Sequence, residues 1–84
     1  MSELPPNLAL KISANPETPQ QVIVRVEGDL AACEERLTSN GLEIRRTLRL
    51  IRGFAATATG QQLQELAAEP WVTSIEEDQP VQAL

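Results

Sequence analysis

Hydrophobic and polar residues alternate near the start of the chain and predict its first β-strand. Val22, Val24 and Val26 recur at every second position, as in a strand that has one face buried and the other nearer to solvent. Four prolines lie in the 20 residues before this strand, and proline disfavours both helix and regular strand pairing. We therefore interpret residues 1–20 as a flexible, proline-rich N-terminal arm.

Two amphipathic segments with capping residues predict two helices. The first follows Asp29, which is well suited to cap a helix N-terminus, and it ends before Gly41. Its apolar stripe consists of Leu30, Cys33 and Leu37. The second helix begins at Thr59 and Gln62, which have the spacing of a capping box. It ends at Pro70, because proline forces the preceding residue out of helical geometry.

A hairpin is predicted between the two helices. Its first strand covers residues 42–51, where every second residue from Leu42 to Leu50 is apolar except Arg46. A β-bulge or an edge position near Arg46 would explain a charged residue among the apolar positions of this strand. After a turn at residues 52–53, the alternating positions from Phe54 to Ala58 predict the second strand of the hairpin.

A last short strand, at about residues 71–75, completes the predicted fold. The pattern leaves open whether Trp71, Thr73 and Ile75 or the residues between them face the core. The order strand, helix, strand, strand, helix, strand is that of an α+β, ferredoxin-like βαββαβ fold, with a four-stranded antiparallel sheet and two helices on one face. The other side of the sheet is then uncovered and suits docking. The residues predicted to point there are Ile23, Arg25, Arg45, Thr47, Arg49, Ala55 and Thr57.

Composition and charge narrow the functional classes. The chain has 7 Lys and Arg residues against 12 Asp and Glu residues, for a formal net charge of -5, which opposes binding to nucleic acid and to anionic membranes. It has no His and one Cys, so it cannot assemble a Ser-His or Cys-His nucleophile pair or a multi-thiolate metal site. Cys33 lies on the apolar stripe and is predicted to be a buried structural thiol. We predict a protein that is not an enzyme and that binds another protein, with no cofactor and no metal.

Several ordered segments carry a resemblance to a known family. They are Val22-Ile23-Val24-Arg25-Val26, Ile51-Arg52-Gly53-Phe54-Ala55-Ala56, Leu63-Gln64-Glu65-Leu66 with Pro70 and Val72, and Ile75-Glu76-Glu77-Asp78. Together they closely resemble the subtilisin propeptides, a domain that also occurs as free-standing inhibitors of subtilisin-like serine proteases. The similarity extends from about Gln21 to Leu84. It implies an inhibitor domain at residues 21–78, followed by an extended C-terminal tail at residues 79–84.

The resemblance also implies how the chain would bind. In such propeptides the uncovered side of the sheet packs on two helices of the enzyme, acidic residues near the last strand cap those helices, and the C-terminal segment occupies the substrate cleft. By position, Glu76 and Asp78 would be the caps. The cleft segment would be Val81, Gln82, Ala83 and Leu84. The expected partner is a subtilisin-like serine protease, and the free protein is expected to be a monomer.

Other hypotheses stay open. A ferredoxin-like regulatory module could bind a small ligand or self-associate through the uncovered side of the sheet, although the sequence has no ligand loop. The sequence also does not separate a free inhibitor, acting in trans, from an excised propeptide, which would in addition act as a folding chaperone for its enzyme. The first residues lack the pattern of a signal peptide, so a complete free-standing protein of this sequence would be cytoplasmic.

Overall fold

One antiparallel sheet and three helices make up the fold. The computed structural model describes residues 4–78. The elements in chain order are α1 (Pro6–Ala14), β1 (Gln20–Val26), α2 (Leu30–Ser39), β2 (Glu43–Leu48), a short 3-10 helix (Arg49–Ile51), β3 (Gly53–Ala58), α3 (Gly60–Ala67) and β4 (Val72–Glu77). The strands lie in the order β2-β3-β1-β4, and all neighbours are antiparallel. From β1 onward the order is βαββαβ, so the predicted α+β, ferredoxin-like fold is confirmed.

The predicted capping residues begin and end the helices. The Asp29 carboxylate accepts a hydrogen bond from the Ala32 N–H at 3.2 Å at the start of α2. At the start of α3, Thr59 and Gln62 form the reciprocal capping box, with the Thr59 N–H donating to Gln62 Oε1 at 2.9 Å. Gly41 follows α2 with φ of 88°, a conformation that glycine adopts without steric cost. Local sequence therefore determines where α2 and α3 start and where α2 stops.

The hydrophobic core lies on one side of the sheet, under all three helices. Its buried members are Leu8, Ile12, Val22, Val24, Val26, Cys33, Leu37, Leu42, Phe54, Ala56, Ala58, Leu63, Leu66, Val72 and Ile75. The strand residues of this set alternate along β1 and β3, as predicted. Because the three helices cover the same side, the opposite side of the sheet has no helix of residues 4–78 packed on it.

The first helix corrects the interpretation of residues 1–20 as a flexible arm. Pro6–Ala14 form α1, and Leu8 and Ile12, one turn apart on the same face, are 0% and 3% exposed. Pro6 occupies the first helical position, where its missing N–H is not needed and its fixed φ is favourable. Pro16 and Pro19 lie beyond the end of the helix. The prolines therefore lie at the first position of α1 or outside the helix, where they do not prevent it from forming.

A close contact joins α1 to the start of α3. The Gly60 N–H donates to the Pro16 carbonyl at 3.0 Å. A Cβ atom at Gly60 would collide with the Ile12 side chain and lie 3.1 Å from that carbonyl oxygen. Only glycine allows α3 to begin so close to the Ile12 side chain and the Pro16 backbone.

A β-bulge in β2 shifts which residues face the core. Ile44 pairs with Ala56 and Arg46 pairs with Ala55, so Arg45 is the extra residue. The expected bulge near Arg46 is thus confirmed, but its effect on the following residues is not as predicted. Thr47 pairs with the core residue Phe54 and therefore lies on the helix side of the sheet.

The strand predicted for residues 42–51 is also too long. β2 ends at Leu48, and Arg49 lies in the 3-10 helix, away from the sheet. Leu50, predicted to be in phase with the core positions, is fully exposed at the tip of the hairpin. Thr47 and Arg49 are therefore removed from the set predicted for the uncovered side of the sheet.

A second bulge resolves the question that the sequence left open for the last strand. Arg25 pairs with Ser74 and Val26 pairs with Val72, which leaves Thr73 as the extra residue. Val72 and Ile75 are consequently both buried, each 1% exposed. Neither of the two simple alternations is correct, because the bulge changes the phase within β4.

Candidate functional site

The uncovered side of the sheet can be defined from the strand register, because residues opposite each other in an antiparallel pair point to the same side. The residues on this side are Gln21, Ile23, Arg25, Glu43, Arg46, Leu48, Gly53, Ala55, Thr57, Ser74 and Glu76. We call this set the open face. The predicted positions of Ile23, Arg25, Ala55 and Thr57 are confirmed.

The open face has a small, mainly apolar centre and a charged rim. Ala55 lies between Ile23 and Arg46 in the register and is 1% exposed although it is outside the core cluster. Neighbouring side chains must therefore cover it. Ile23 and Leu48 are half-buried, whereas charged residues at the margins, such as Glu43, are exposed. An apolar centre within a polar rim is the arrangement found in protein–protein interfaces.

Glu76 and Asp78, the predicted helix caps, lie together at one end of this face. The Glu76 carboxylate is 3.6 Å from Arg25 Nε, and the Asp78 carboxylate is 2.6 Å from Arg45 Nη2. Their side chains are 48% and 24% exposed. The structure thus brings the two acids together, and it adds two arginine partners that the sequence reasoning did not assign to them.

Glu77, between these two acids, points to the helix side of the sheet. It pairs with the core residue Val22 in the register, and its side chain is 12% exposed. The Lys11 ammonium of α1 lies 3.1 Å from Glu77 Oε2. The only available signal for these pairings was the separation of charge along the sequence, with basic residues concentrated before residue 53 and acidic residues at 76–78.

The predicted cleft segment, Val81, Gln82, Ala83 and Leu84, lies outside the described residues. The last rung of the sheet is formed by the Asp78 N–H, which donates to the Gln21 carbonyl at 2.9 Å. The chain therefore passes from the end of β4 into residues 79–84 beside Glu76 and Asp78. This places the origin of the tail at the acidic end of the open face.

Cys33 is buried, as predicted for a structural thiol. It is 1% exposed, and its Sγ donates to the Glu27 carbonyl at 3.4 Å. Burial raises the pKa of the Cys33 thiol, and the nearby positive charge of Arg36 offsets only part of that effect.

We expect the folded protein to react slowly with a thiol-specific chromogenic reagent at pH 8, because a raised pKa leaves the thiol protonated and burial blocks access. The rate should rise by about tenfold or more in denaturing urea, where the pKa returns to its ordinary value. A rate that is the same with and without urea would show that Cys33 is accessible in the folded state.

Two classes of feature are not found among the described residues, namely a metal site and a membrane-spanning helix. Within residues 4–78, no group of three His, Cys, Asp or Glu side chains is placed to hold a metal ion. No helix in this part of the chain is long and apolar enough to cross a membrane.

Comparison with known proteins assigns the chain to a family. A search of curated proteins found no match. The family model described as peptidase inhibitor I9 matches residues 11–84, which is most of the chain and includes part of α1 together with all later elements. Members of this family, which is that of the subtilisin propeptides, are inhibitors and not enzymes. The chain belongs to the peptidase inhibitor I9 family.

Proposed function

We propose that this chain inhibits a subtilisin-like serine protease by docking its open face on the enzyme and placing its C-terminal tail in the substrate cleft. The observation that carries the proposal is the open face itself, a sheet surface with a small apolar centre, a charged rim and an acidic end. Membership of an inhibitor family supports protease inhibition in general, and the open face supplies a surface suited to a protein partner.

The size of the open face supports a binding mode with two parts. Strands lie about 4.8 Å apart and rise about 3.3 Å per residue, so four strands of six residues present a surface of roughly 15 by 20 Å. A stable protein–protein interface usually buries about 800 Å² on each partner. The footprint of the open face alone is smaller than this area, and we propose that residues 79–84 extend it.

Glu76 and Asp78 are proposed to cap the N-termini of two enzyme helices. A helix N-terminus presents unpaired N–H groups and a partial positive charge, both of which favour a carboxylate. Each carboxylate has two oxygens and about four lone-pair sites, so the contacts with Arg25 and Arg45 leave acceptor capacity. The two acids can thus bind a helix end without first losing their arginine partners.

The tail is proposed to bind in the cleft as a product-like strand. Six residues follow Asp78, and extended residues rise about 3.3 Å each, which gives a reach of roughly 20 Å. Leu84 would enter the primary specificity pocket, Ala83 and Gln82 the next two subsites, and Val81 the fourth. Backbone hydrogen bonds with the edge of the cleft would add affinity, as in other strand-addition complexes.

The test of this function is inhibition of a panel of purified subtilisin-like proteases. A chymotrypsin-fold serine protease is the negative control, because it belongs to a different structural class. We expect at least one subtilisin-like enzyme to be inhibited competitively and the control enzyme to be unaffected. Absence of inhibition across the panel at high micromolar concentration would overturn the proposal. When the chain is joined to a protease, we propose that it also assists folding, which a refolding assay of the denatured enzyme with and without the chain would measure.

The double substitution Glu76→Ala/Asp78→Ala is expected to weaken inhibition by about 5- to 30-fold. Two carboxylates at helix N-termini contribute about 1–2 kcal/mol together. The circular dichroism spectrum should not change, because ion pairs at exposed or half-exposed positions contribute little to stability. The loss should be larger at low salt, where screening is weakest.

The matched control for this change is Glu35→Ala/Glu65→Ala. It removes the same charge from exposed positions on α2 and α3, on the side of the sheet away from the open face. We expect it to leave the inhibition constant within about twofold of the unmodified chain, because surface substitutions away from a contact have small effects. If both double variants lose the same amount of inhibition, Glu76 and Asp78 act only through the net charge of the chain and not as helix caps.

A further inference from the structure

Each acid in the run 76–78 is paired with a basic residue from a different element of the fold. Glu76 contacts Arg25 of β1, Glu77 contacts Lys11 of α1, and Asp78 contacts Arg45 of β2. Three adjacent negative charges would otherwise repel one another at the end of an edge strand. The pairs therefore join the end of β4 to three separate parts of the fold.

Two of these pairs hold the strand end from opposite sides of the sheet. Glu77 points to the helix side, where Lys11 reaches it, and Asp78 meets Arg45 on the side of the open face. Both acids are less exposed than Glu76, at 12% and 24% against 48%. A partly buried pair is screened less by salt than an exposed one. The Arg45–Asp78 pair, with both side chains less than a third exposed, is therefore the best shielded of the three, whereas Lys11 is 53% exposed.

The Arg45–Asp78 pair also spans the sheet. Arg45 belongs to β2 and Asp78 follows β4, and these are the two edge strands. Arg45 is the extra residue of the β2 bulge, and a bulge re-aims the side chain at its position. The pair coincides with the last backbone rung, from the Asp78 N–H to the Gln21 carbonyl. Side-chain and backbone contacts thus fix the same residue at the point where the tail begins.

We propose that Arg45 and Lys11 are positioning residues, which hold the end of β4 from both sides and thereby fix the direction in which residues 79–84 leave the sheet. This inference rests on the proposed function, because it assigns the two residues a role in presenting the tail to the protease. A tail that starts from a fixed point loses less conformational freedom when it docks. Arg45 and Lys11 need not touch the enzyme for this effect.

The first experiment is a double-mutant cycle, measured by binding, that combines Arg45→Met with removal of residues 81–84. The partner is a protease inhibited in the panel, with its catalytic serine replaced by alanine so that the chain is not cleaved. Arg45→Met should weaken binding of the full chain by about 2- to 5-fold, in the range of an ion pair near the surface. It should leave the binding of the chain that ends at Pro80 unchanged. An equal loss in both backgrounds would mean that Arg45 acts on the enzyme directly, and it would overturn the inference.

The control is Arg49→Met, which removes the same charge at the hairpin tip, outside the sheet. It should bind like the unmodified chain. Lys11→Met tests the other side of the strand end and should show the same dependence on the tail as Arg45→Met. Loss of binding by Arg49→Met equal to that of Arg45→Met would overturn the inference, because charge alone would then account for the effect.

A second readout uses the free protein and needs no protease. Amide hydrogen exchange at Asp78 reports the opening of the last rung, and opening should be several-fold faster in Arg45→Met than in Arg49→Met because exchange follows local stability. Identical exchange in the two variants would overturn the inference. If no protease is inhibited, the proposed function fails, whereas this measurement still decides whether Arg45 holds the strand end.

Discussion

A chain shortened to end at Pro80 is expected to inhibit a subtilisin-like protease about 100-fold less than the full chain, or worse. The removed segment contains Leu84 and Val81, the two proposed apolar anchors. Burial of such a side chain contributes about 1.5–3 kcal/mol, and each 1.4 kcal/mol changes a binding constant about tenfold. The binding free energy lost with the two apolar side chains therefore exceeds the conformational entropy that the shorter chain no longer loses when it docks.

The measurement is the inhibition constant of the shortened chain beside that of the full chain, with circular dichroism to verify the fold. Leu10→Ala is a suitable control, since it removes a leucine that is 70% exposed on α1 and should leave inhibition unchanged. A shortened chain as potent as the full one would exclude the tail from the mechanism. The open face would then be the remaining candidate for the inhibitory surface.

Leu8→Ala is expected to lower the free energy of unfolding by about 2–5 kcal/mol, the range for removing a large aliphatic side chain from a packed core. Leu8 is 0% exposed and lies on the core-facing side of α1. Such a loss is a large share of the stability of a small domain, because a chain of this size buries only about 60% of its unfolded surface. Urea denaturation followed by the fluorescence of Trp71 would measure it.

Leu10→Ala is the matched control for this change as well. It makes the same chemical change on the solvent side of α1 and should alter stability by less than about 0.5 kcal/mol. Similar small effects of both substitutions would show that α1 is not docked on the core in solution. A bound protease should restore folding of Leu8→Ala, because binding stabilises the folded state by mass action.

The sequence predicted most of the fold because its local signals were complete. The alternation in β1, the Asp29 cap and the capping box at Thr59 each specify structure within a few residues. Helix α1 was not predicted because the number of prolines in residues 1–20 suggested an irregular arm, whereas their positions are compatible with a helix. A proline at the first helical position is compatible with a helix, and the spacing of Leu8 and Ile12 was the signal that could have shown it.

The phase errors in β2 and β4 have a different origin. A bulge adds one residue to one strand, and every later side chain then changes sides relative to a simple alternation. The charge at Arg46 indicated where the first bulge lies but not that Thr47 would join the helix side. Nothing in the sequence around Thr73 signals the second bulge, which depends on how β4 packs against β1.

The candidate site was predicted in part. Glu76 and Asp78 lie together at the end of the open face, as position in the family implied, but their roles as caps stay a prediction. Their pairing with Arg25 and Arg45 depends on strands distant in sequence, and a single sequence gives no register between them. The roles of Val81, Gln82, Ala83 and Leu84, and the division of the chain at residues 21–78 and 79–84, also stay predictions.

The two bulges have a consequence for how this protein meets other chains. Both lie in edge strands, where an uninterrupted row of N–H and C=O groups would otherwise be a template for adding a further strand. The extra residue at Arg45 and the one at Thr73 each break that row, and the first of them is itself charged and is followed by Arg46. A second copy approaching edge to edge would find no continuous ladder to extend. The edges are thereby protected from aggregation, while the broad side of the sheet stays accessible to a partner.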